Sequence, residues 1–349
     1  MNIIINARFL TQQITGVQRF AIEISKALKK IWPSIQFVSP PDIIDHVLAA
    51  ELNVKIIGRN KGILWEQVDL PVFLKKNNHP LLINLCNVAP LFYSNQVITI
   101  HDVAFIVNPG WFNKKFVLFY KFLIPRIAKK SKAIFTVSNF SKQEIIKYIK
   151  IEAEKIKVVY NSVSCFPIER QVENKYGRYI LFVGSIDKRK NISALIEAFN
   201  NVKDIDLKLL IAGDVSSVFN NKENINLKNN ERVSFLGRVN DAELSSLYAN
   251  ALMFIYPSLY EGFGLPPLEA MYYNCPAIVS DIGSLIEICN DATLYVDPYN
   301  PEDIARKIEL LANDEFLRNE LIKKGKQNIE KYSWEKSATI IANTIEHLN

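Results

Sequence analysis

The sequence predicts an α/β protein built from two doubly wound, mostly parallel sheets. Three observations lead there. The chain has 349 residues, enough for two domains at roughly 150 residues each. Short apolar runs alternate with amphipathic helical stretches, the pattern of strand–helix–strand units. The alternation then restarts after a polar stretch, Ile168–Arg178, which reads as a linker. Hydrophobic residues make up 49% of the chain, which excludes a disordered protein, and no repeat or low-complexity tract occurs.

Taken in order, Ile3–Ile5 is the first strand and a helix follows around Val17–Ile31. Strands are expected at Gln36–Ser39, Val54–Ile57, Leu81–Leu85, Val97–His101, Ala133–Val137 and Lys157–Val159, with helices over 112–130 and 141–149 between the last three. The second half gives strands at Tyr179–Val183, Lys208–Ala212, Arg232–Phe235, Met253–Tyr256, Ala277–Ser280 and Thr293–Val296. Its helices fall at 191–201, 241–249, 266–273, 301–312 and 314–331. The domains are accordingly placed at 1–170 and 171–332, with a last helix in 333–349. Ligands of such sheets sit beyond the carboxyl ends of strands, so chemistry is sought there.

The N-terminus has no basic region ahead of a long apolar one and reads as a buried strand rather than a signal peptide. No run of about 18 uncharged apolar residues exists, so no transmembrane helix is expected. Cys86, Cys165, Cys275 and Cys289 lack C-x-x-C spacing and a nearby histidine cluster. Reduced thiols of a cytoplasmic protein are therefore expected, not a disulfide framework or a zinc site. Charge is split: residues 1–170 carry 23 Lys+Arg against 11 Asp+Glu, net +12, and the remainder 19 against 25, net −6. A basic half joined to an acidic half implies different partners for the two.

The segment richest in chemistry runs from Tyr256 to Met271 and contains Glu261-Gly-Phe-Gly264-Leu-Pro-Pro-Leu-Glu269. A strand ends near Tyr256, a glycine-containing turn follows, and two prolines stand where a helix begins, a position where proline loses no intrahelical bond. Amides around Gly264–Leu268 and the positive helix end suit a diphosphate. Gly262 and Gly264 permit close backbone approach. Glu261 and Glu269 are placed to accept bonds from sugar or ribose hydroxyls. A plain strand–turn–helix junction with capping glutamates accounts for the spacing equally well.

On these residues the chain resembles the retaining glycosyltransferase family 4, whose signature E-G-F-G-x-P-x-x-E-A is filled at both glutamates. The resemblance implies the GT-B fold, two Rossmann-like domains facing a central cleft, with 1–170 on the acceptor side, 171–332 binding the donor and the 333–349 helix crossing back to the first domain. It also implies that Glu269 holds the ribose of a nucleotide-sugar donor, that Glu261 contacts the transferred sugar, and that the amides of Phe263–Leu265 lie near sugar and diphosphate. Phe182-Val-Gly-Ser-Ile-Asp-Lys-Arg189-Lys190-Asn191 resembles the family's donor-domain loop, in which a basic pair neutralises the leaving diphosphate. Many members have Arg where this chain has Ser185, and the resemblance makes Arg189 the candidate to substitute for that cation. Val97-Ile-Thr-Ile-His101-Asp102 resembles the family's H-D pair, which implies that His101 faces the donor sugar while Asp102 supports the loop. Thr15-Gly16-Val17-Gln18-Arg19 resembles the loop after the first strand, where Gly16 gives access to donor phosphate or acceptor. In Thr136-Val-Ser138-Asn-Phe-Ser141, Ser141 is read as a helix N-cap.

With Arg189, Lys190 and a helix N-terminus to stabilise the leaving group, no metal or other cofactor is expected. The co-substrate is a GDP- or UDP-sugar. The segment 109–132 mixes aromatics with seven cations, among them Lys114, Lys115 and Lys121. Such stretches lie on anionic membrane surfaces, although an ordinary helix with snorkelling lysines fits as well. No nucleic-acid motif is present. The first expectation is therefore a transferase, mannose favoured, building a lipid-linked cell-surface polysaccharide such as O-antigen or capsule. It would be cytoplasmic, peripheral at the inner face of the membrane. A phosphorylase, a sugar-nucleotide epimerase and a silent membrane-associated scaffold are the competing classes.

Overall fold

The computed structural model describes residues 2–164, 175–214 and 231–348. Cys165, the expected 170/171 boundary and most of the 168–178 linker lie outside the described residues. The chain divides into two compact units: Met1–Val107, Val117–Asn161 and Ser333–Asn349 form one, and Asn108–Phe116 with Ser162–Tyr332 the other. Residues 108–116 thus group with the second unit and not, as the 1–170 run has it, with the first. The Trp111 ring packs 6.4 Å from that of Tyr260.

The first unit is a seven-stranded parallel sheet in the order β3-β2-β1-β4-β5-β6-β7. Its strands are β1 (Ile3–Asn6), β2 (Gln36–Ser39), β3 (Val54–Ile56), β4 (Leu81–Asn84), β5 (Gln96–Thr99), β6 (Ala133–Thr136) and β7 (Ile156–Val158). Helices α1 (Gly16–Ile31), α2 (His46–Leu52), α3 (Gly62–Leu64), α4 (Leu70–Lys76), α5 (Ala104–Val107), α6 (Lys114–Lys130) and α7 (Asn139–Ile149) connect them, and a π-helical stretch, Trp65–Asp69, joins α3 to α4. Both faces of the sheet are covered, so β1 and β4 read Ile-Ile-Ile-Asn and Leu-Leu-Ile-Asn and are buried throughout. Each such isoleucine or leucine contributes about 1.5–3 kcal/mol on burial.

The second unit is a six-stranded parallel sheet in the order β10-β9-β8-β11-β12-β13. It comprises β8 (Tyr179–Val183), β9 (Lys208–Ala212), β10 (Val233–Gly237), β11 (Met253–Tyr256), β12 (Ala277–Ser280) and β13 (Thr293–Val296). Its helices are α8 (Ile192–Asn200), α9 (Asp241–Asn250), α10 (Leu265–Tyr272), α11 (Gly283–Cys289), α12 (Pro301–Asn313) and α13 (Glu315–Ile329). The last helix, α14 (Trp334–Glu346), returns to the first unit. Trp334 meets Phe20 of α1 at 6.1 Å between ring centroids, and Ser337 Oγ donates to Tyr160 O at 2.6 Å.

In both sheets the winding reverses direction once, between β1 and β4 in the first and between β8 and β11 in the second. These are the switch points at which doubly wound sheets leave a crevice beyond their strand ends.

Candidate functional site

The second switch point gathers most of the residues singled out in the sequence. Beyond β8 the chain turns through Gly184–Asp187 and a single 3-10 turn, Lys188–Lys190, before α8. Asp187 organises this turn, accepting from the Arg189 amide at 3.0 Å and from Ser185 Oγ at 2.5 Å. Ser185 thus serves the loop's own hydrogen bonding. Gly213, beyond β9, has φ +147°, and a Cβ there would stand 1.8 Å from the Gly184 carbonyl oxygen. Only glycine lets the two loops approach so closely.

Lys190 is buried and donates to Glu261 Oε1 at 2.6 Å and to the Tyr256 hydroxyl at the end of β11. Arg189 Nη1 lies 3.6 Å from the other Glu261 oxygen. Burial alone would raise the Glu261 carboxyl, but Lys190 and Arg189 outweigh it and hold it below the usual carboxylate range. Burial pulls the Lys190 ammonium down, with Glu261 offsetting only part of the fall. Two cations and an ionised glutamate therefore stand together, desolvated, at the carboxyl ends of the two central strands.

Glu269 lies on α10, where Tyr248 of α9 donates its hydroxyl to Oε2 at 3.0 Å. Burial and the neighbouring Glu269 push the Tyr248 phenol well above its usual range, which keeps it a donor. Tyr248 stacks on Tyr273 at 5.9 Å, so its position is fixed from two sides. No motif marked Tyr248; its only sequence signal is an aromatic inside a polar helix. Gly264 caps α10 with φ +100° and packs where a Cβ would sit 2.3 Å from Leu285 Cδ2. Pro266 and Pro267 remove two of the first-turn amides, so Leu265 and Leu268 keep the donors that face outward from the helix start. Gly262 and Phe263 precede it and are buried, Phe263 meeting Tyr332 edge to face at 5.8 Å.

The remaining predicted residues belong to the first unit. β5 ends at Thr99, so His101 lies beyond the strand. Its ring is buried, with Nε2 3.0 Å from Leu85 O and Phe20 edge-on at 5.0 Å. A carbonyl partner fixes the proton on Nε2 and leaves Nδ1 as the acceptor. Burial lowers the imidazole below its usual range, against the opposing influence of Leu85 O and Asp102, and keeps it neutral. Asp102 Oδ1 accepts from Ala104 N at 3.0 Å and supports the local loop. Gly16 opens α1, and a Cβ there would meet nothing within 4 Å. The helix cap of α7 is Ser138, not Ser141: Ser138 Oγ accepts the Ser141 amide at 2.9 Å, and Ser141 Oγ donates to His101 O at 3.0 Å. Three residues separate a cap from the amide it receives, so a serine appears at both ends.

Cys86, Cys275 and Cys289 are free thiols. Burial raises Cys86 to about 12, against a lesser pull from Arg8, which makes it no nucleophile. Among the described residues no three His, Cys, Asp or Glu side chains form a metal-holding group, and no helix is long and apolar enough to cross a membrane. The exposed face of α6 mixes cations with apolar side chains, since Leu118 is 74% and Phe122 51% exposed beside Lys115 and Lys121. The Arg126 guanidinium covers the Phe122 ring at 3.8 Å.

The family model for glycosyl transferases group 1 matches residues 166–328, and that for glycosyltransferase family 4 matches residues 63–165. An O-antigen chain mannosyltransferase, RfbU, of Salmonella typhimurium is 31% identical over 312 residues, covering 84% of this chain and 86% of its own. O-antigen chain mannosyltransferase B of Escherichia coli is 27% identical over the whole of both chains, 390 aligned positions. Among solved structures, Anabaena HepE in complex with UDP and glucose matches 99% of both chains with a TM-score of 0.77 at 17% identity. That likeness shows the fold: two Rossmann-like parallel-sheet domains of the GT-B type.

Proposed function

Because this chain belongs to the glycosyltransferases of group 1 and family 4, with their GT-B fold, we propose that it is a retaining mannosyltransferase extending a lipid-linked O-antigen. The observation that carries this reading is the buried Arg189–Lys190–Glu261 cluster at the second switch point, in a chain whose full-length relatives are O-antigen mannosyltransferases.

The bond to be broken joins the anomeric carbon of the sugar to a diphosphate, and the barrier depends on stabilising negative charge as it collects on the departing oxygen. Lys190 and Arg189 are already desolvated and held in place, so they act on that charge without reorganising. In the ligand-free protein Glu261 balances them. With donor bound, the diphosphate takes over part of that balance and releases Glu261 to accept sugar hydroxyls. Glu269, aimed by Tyr248, accepts the ribose hydroxyls. No carboxylate is assigned as a covalent nucleophile. Retention follows from attack on the face the diphosphate leaves, with a departing phosphate oxygen taking the acceptor proton. Two resident cations supply what a divalent metal supplies elsewhere, so turnover is expected to be unchanged by EDTA.

The test is a panel of GDP-, UDP- and ADP-sugars assayed for nucleotide release in the presence of a mannosyl acceptor. GDP-mannose is expected to turn over fastest; turnover confined to another donor sinks the mannosyl assignment while leaving the transferase. The acceptor's lipid places the reaction at an anionic bilayer surface, approached by the exposed cation–aromatic face of α6. Lys114→Glu, Lys115→Glu and Lys121→Glu together are expected to abolish cosedimentation with phosphatidylglycerol vesicles. Unchanged cosedimentation makes α6 an ordinary solvated helix.

A further inference from the structure

The first switch point holds a second buried ion pair that the donor chemistry does not use. Asn6 closes β1 and Asn84 closes β4, opposite each other in register. Asn6 Nδ2 donates to Asn84 Oδ1 at 3.0 Å and to Glu66 Oε1 at 2.8 Å. Asn84 in turn donates to Gln96 Oε1 at 3.2 Å and to Val97 O at 3.1 Å. Glu66 reaches this place from the π-helical stretch Trp65–Asp69, a distortion that recurs at functional sites. Its side chain is 1% exposed, and Arg8, just past β1, brings Nε to 3.2 Å of Glu66 Oε1.

The pair is incomplete. Glu66 Oε2 is buried without a hydrogen-bond partner, and Arg8 Nε, though 3.2 Å from Oε1, is not aligned as a hydrogen bond. Buried charged atoms in folded proteins are nearly always satisfied, and one left open asks for an explanation. A strut that merely held β1 to the π turn would use both carboxylate oxygens. Arg8 keeps 11% of its side chain exposed, so the residue is anchored inside by Glu66 without being sealed from solvent. The location is the crevice where doubly wound sheets take ligands.

The chemistry indicates which ligand. Arg8 and Glu66 cancel in charge, and Asn6, Asn84 and Gln96 around them are neutral. The array offers fixed donors and an open acceptor without net charge. A phosphate finds no surplus cation here, in contrast to the Arg189–Lys190 cluster. Vicinal hydroxyls of a neutral sugar ring, which both donate and accept, are its complement.

We propose that Arg8 binds hydroxyls of the acceptor saccharide at the first switch point and that Glu66 is the positioning residue that fixes its guanidinium. The assignment rests on the glycosyltransferase reading and names the residues of its acceptor side. The probe is methyl α-mannobioside, titrated by saturation-transfer NMR against the full-length protein, with GDP-mannose affinity measured separately by calorimetry. Saturable disaccharide binding is expected for the wild type, weakened at least tenfold by Arg8→Lys and by Glu66→Gln. The double variant is expected to lose no more than the worse single one, a coupling that a purely structural role for Glu66 does not produce. Equal affinity in the wild type and Arg8→Lys overturns the proposal. So does a wild type that binds no disaccharide, or inorganic phosphate displacing the sugar through an Arg8-dependent site. If Glu66→Gln does not fold, Arg8→Lys decides alone. Failure of GDP-mannose to bind the wild type strikes the donor reading and leaves the disaccharide comparison intact.

Discussion

The two switch points invite comparison because the same sheet winding has been filled with different chemistry. Each holds a buried glutamate facing an arginine just beyond a central strand: Arg8 with Glu66 in the first unit, Arg189 with Glu261 in the second. In the second, Lys190 adds another cation, and both Glu261 oxygens are engaged. In the first there is one cation, and Glu66 Oε2 is left open. Winding fixes where a ligand sits, and the local balance of charge fixes what kind. A domain whose sequence is acidic across residues 171–349 can therefore still present a local positive site, because Arg189 and Lys190 stand together at one strand end. The surplus charge of the basic half lies elsewhere, much of it on α6, and not at its own switch point.

The sharpest way to break this comparison is to remove the extra cation. Lys190→Ala leaves Arg189 and Glu261 as a one-to-one pair, the composition of the first switch point. Turnover is expected to fall about 10²–10³-fold, the range for losing one preorganised group that stabilises developing charge. Donor affinity should fall far less, since Arg189 and the amides of the Gly264–Leu265 turn remain. Steady-state kinetics on GDP-mannose check it, and a kcat within twofold of the wild type removes Lys190 from the leaving-group role.

The two sites were unequally legible from sequence, and the reason is physical. Strands such as Tyr179–Val183, Met253–Tyr256 and Thr293–Val296 coincide with their apolar runs because parallel strands buried on both faces carry no polar interruptions. The Arg189–Lys190–Glu261 cluster is legible because its residues lie in two short, contiguous segments. The Arg8 site is assembled from Asn6, Glu66 and Asn84, far apart in the chain and marked by no motif. A signal was nonetheless present: two fully apolar strands, Ile-Ile-Ile-Asn and Leu-Leu-Ile-Asn, end in the same amide. Helices α2, α3, α4, α5 and α11 carry no clear periodic signal in the sequence. They are short, and Gly62, Pro71 and the π turn interrupt the periodicity between 62 and 76.

A smaller effect separates the units by pH. His101 has its folded pKa lowered by burial, so the unfolded chain takes up a proton first. Stability of the first unit is expected to decline as pH falls below about 6.5, by at most about 1.4 kcal/mol per pH unit, until the folded value is reached. Glu261 has its folded pKa lowered as well, but a carboxylate contributes stability above its unfolded value and loses it only as pH falls through the folded one. The second unit should therefore hold to a more acidic pH. Hydrogen exchange followed peptide by peptide between pH 7.5 and 5 distinguishes them, and His101→Gln should flatten the slope in the first unit alone. An unaltered slope assigns the effect to another group.

The smallest expected change concerns two glycines at helix starts. Gly264 adopts φ +100° and packs against Leu285, so Gly264→Ala strains the backbone and is expected to cost more than about 1 kcal/mol of stability. Gly16 begins α1 outside the left-handed region, with open space where a Cβ would go. Nothing in the protein's own packing asks for glycine there, and alanine in a helix is favoured by about 0.5–1 kcal/mol. Gly16→Ala should leave the melting temperature unchanged or slightly raised. If the open space above Gly16 is reserved for substrate, the same variant raises the KM of donor or acceptor several-fold despite that stability. Unchanged KM values for both would make Gly16 an ordinary first residue of a helix, and the first unit's ligand contacts would then begin at Arg8.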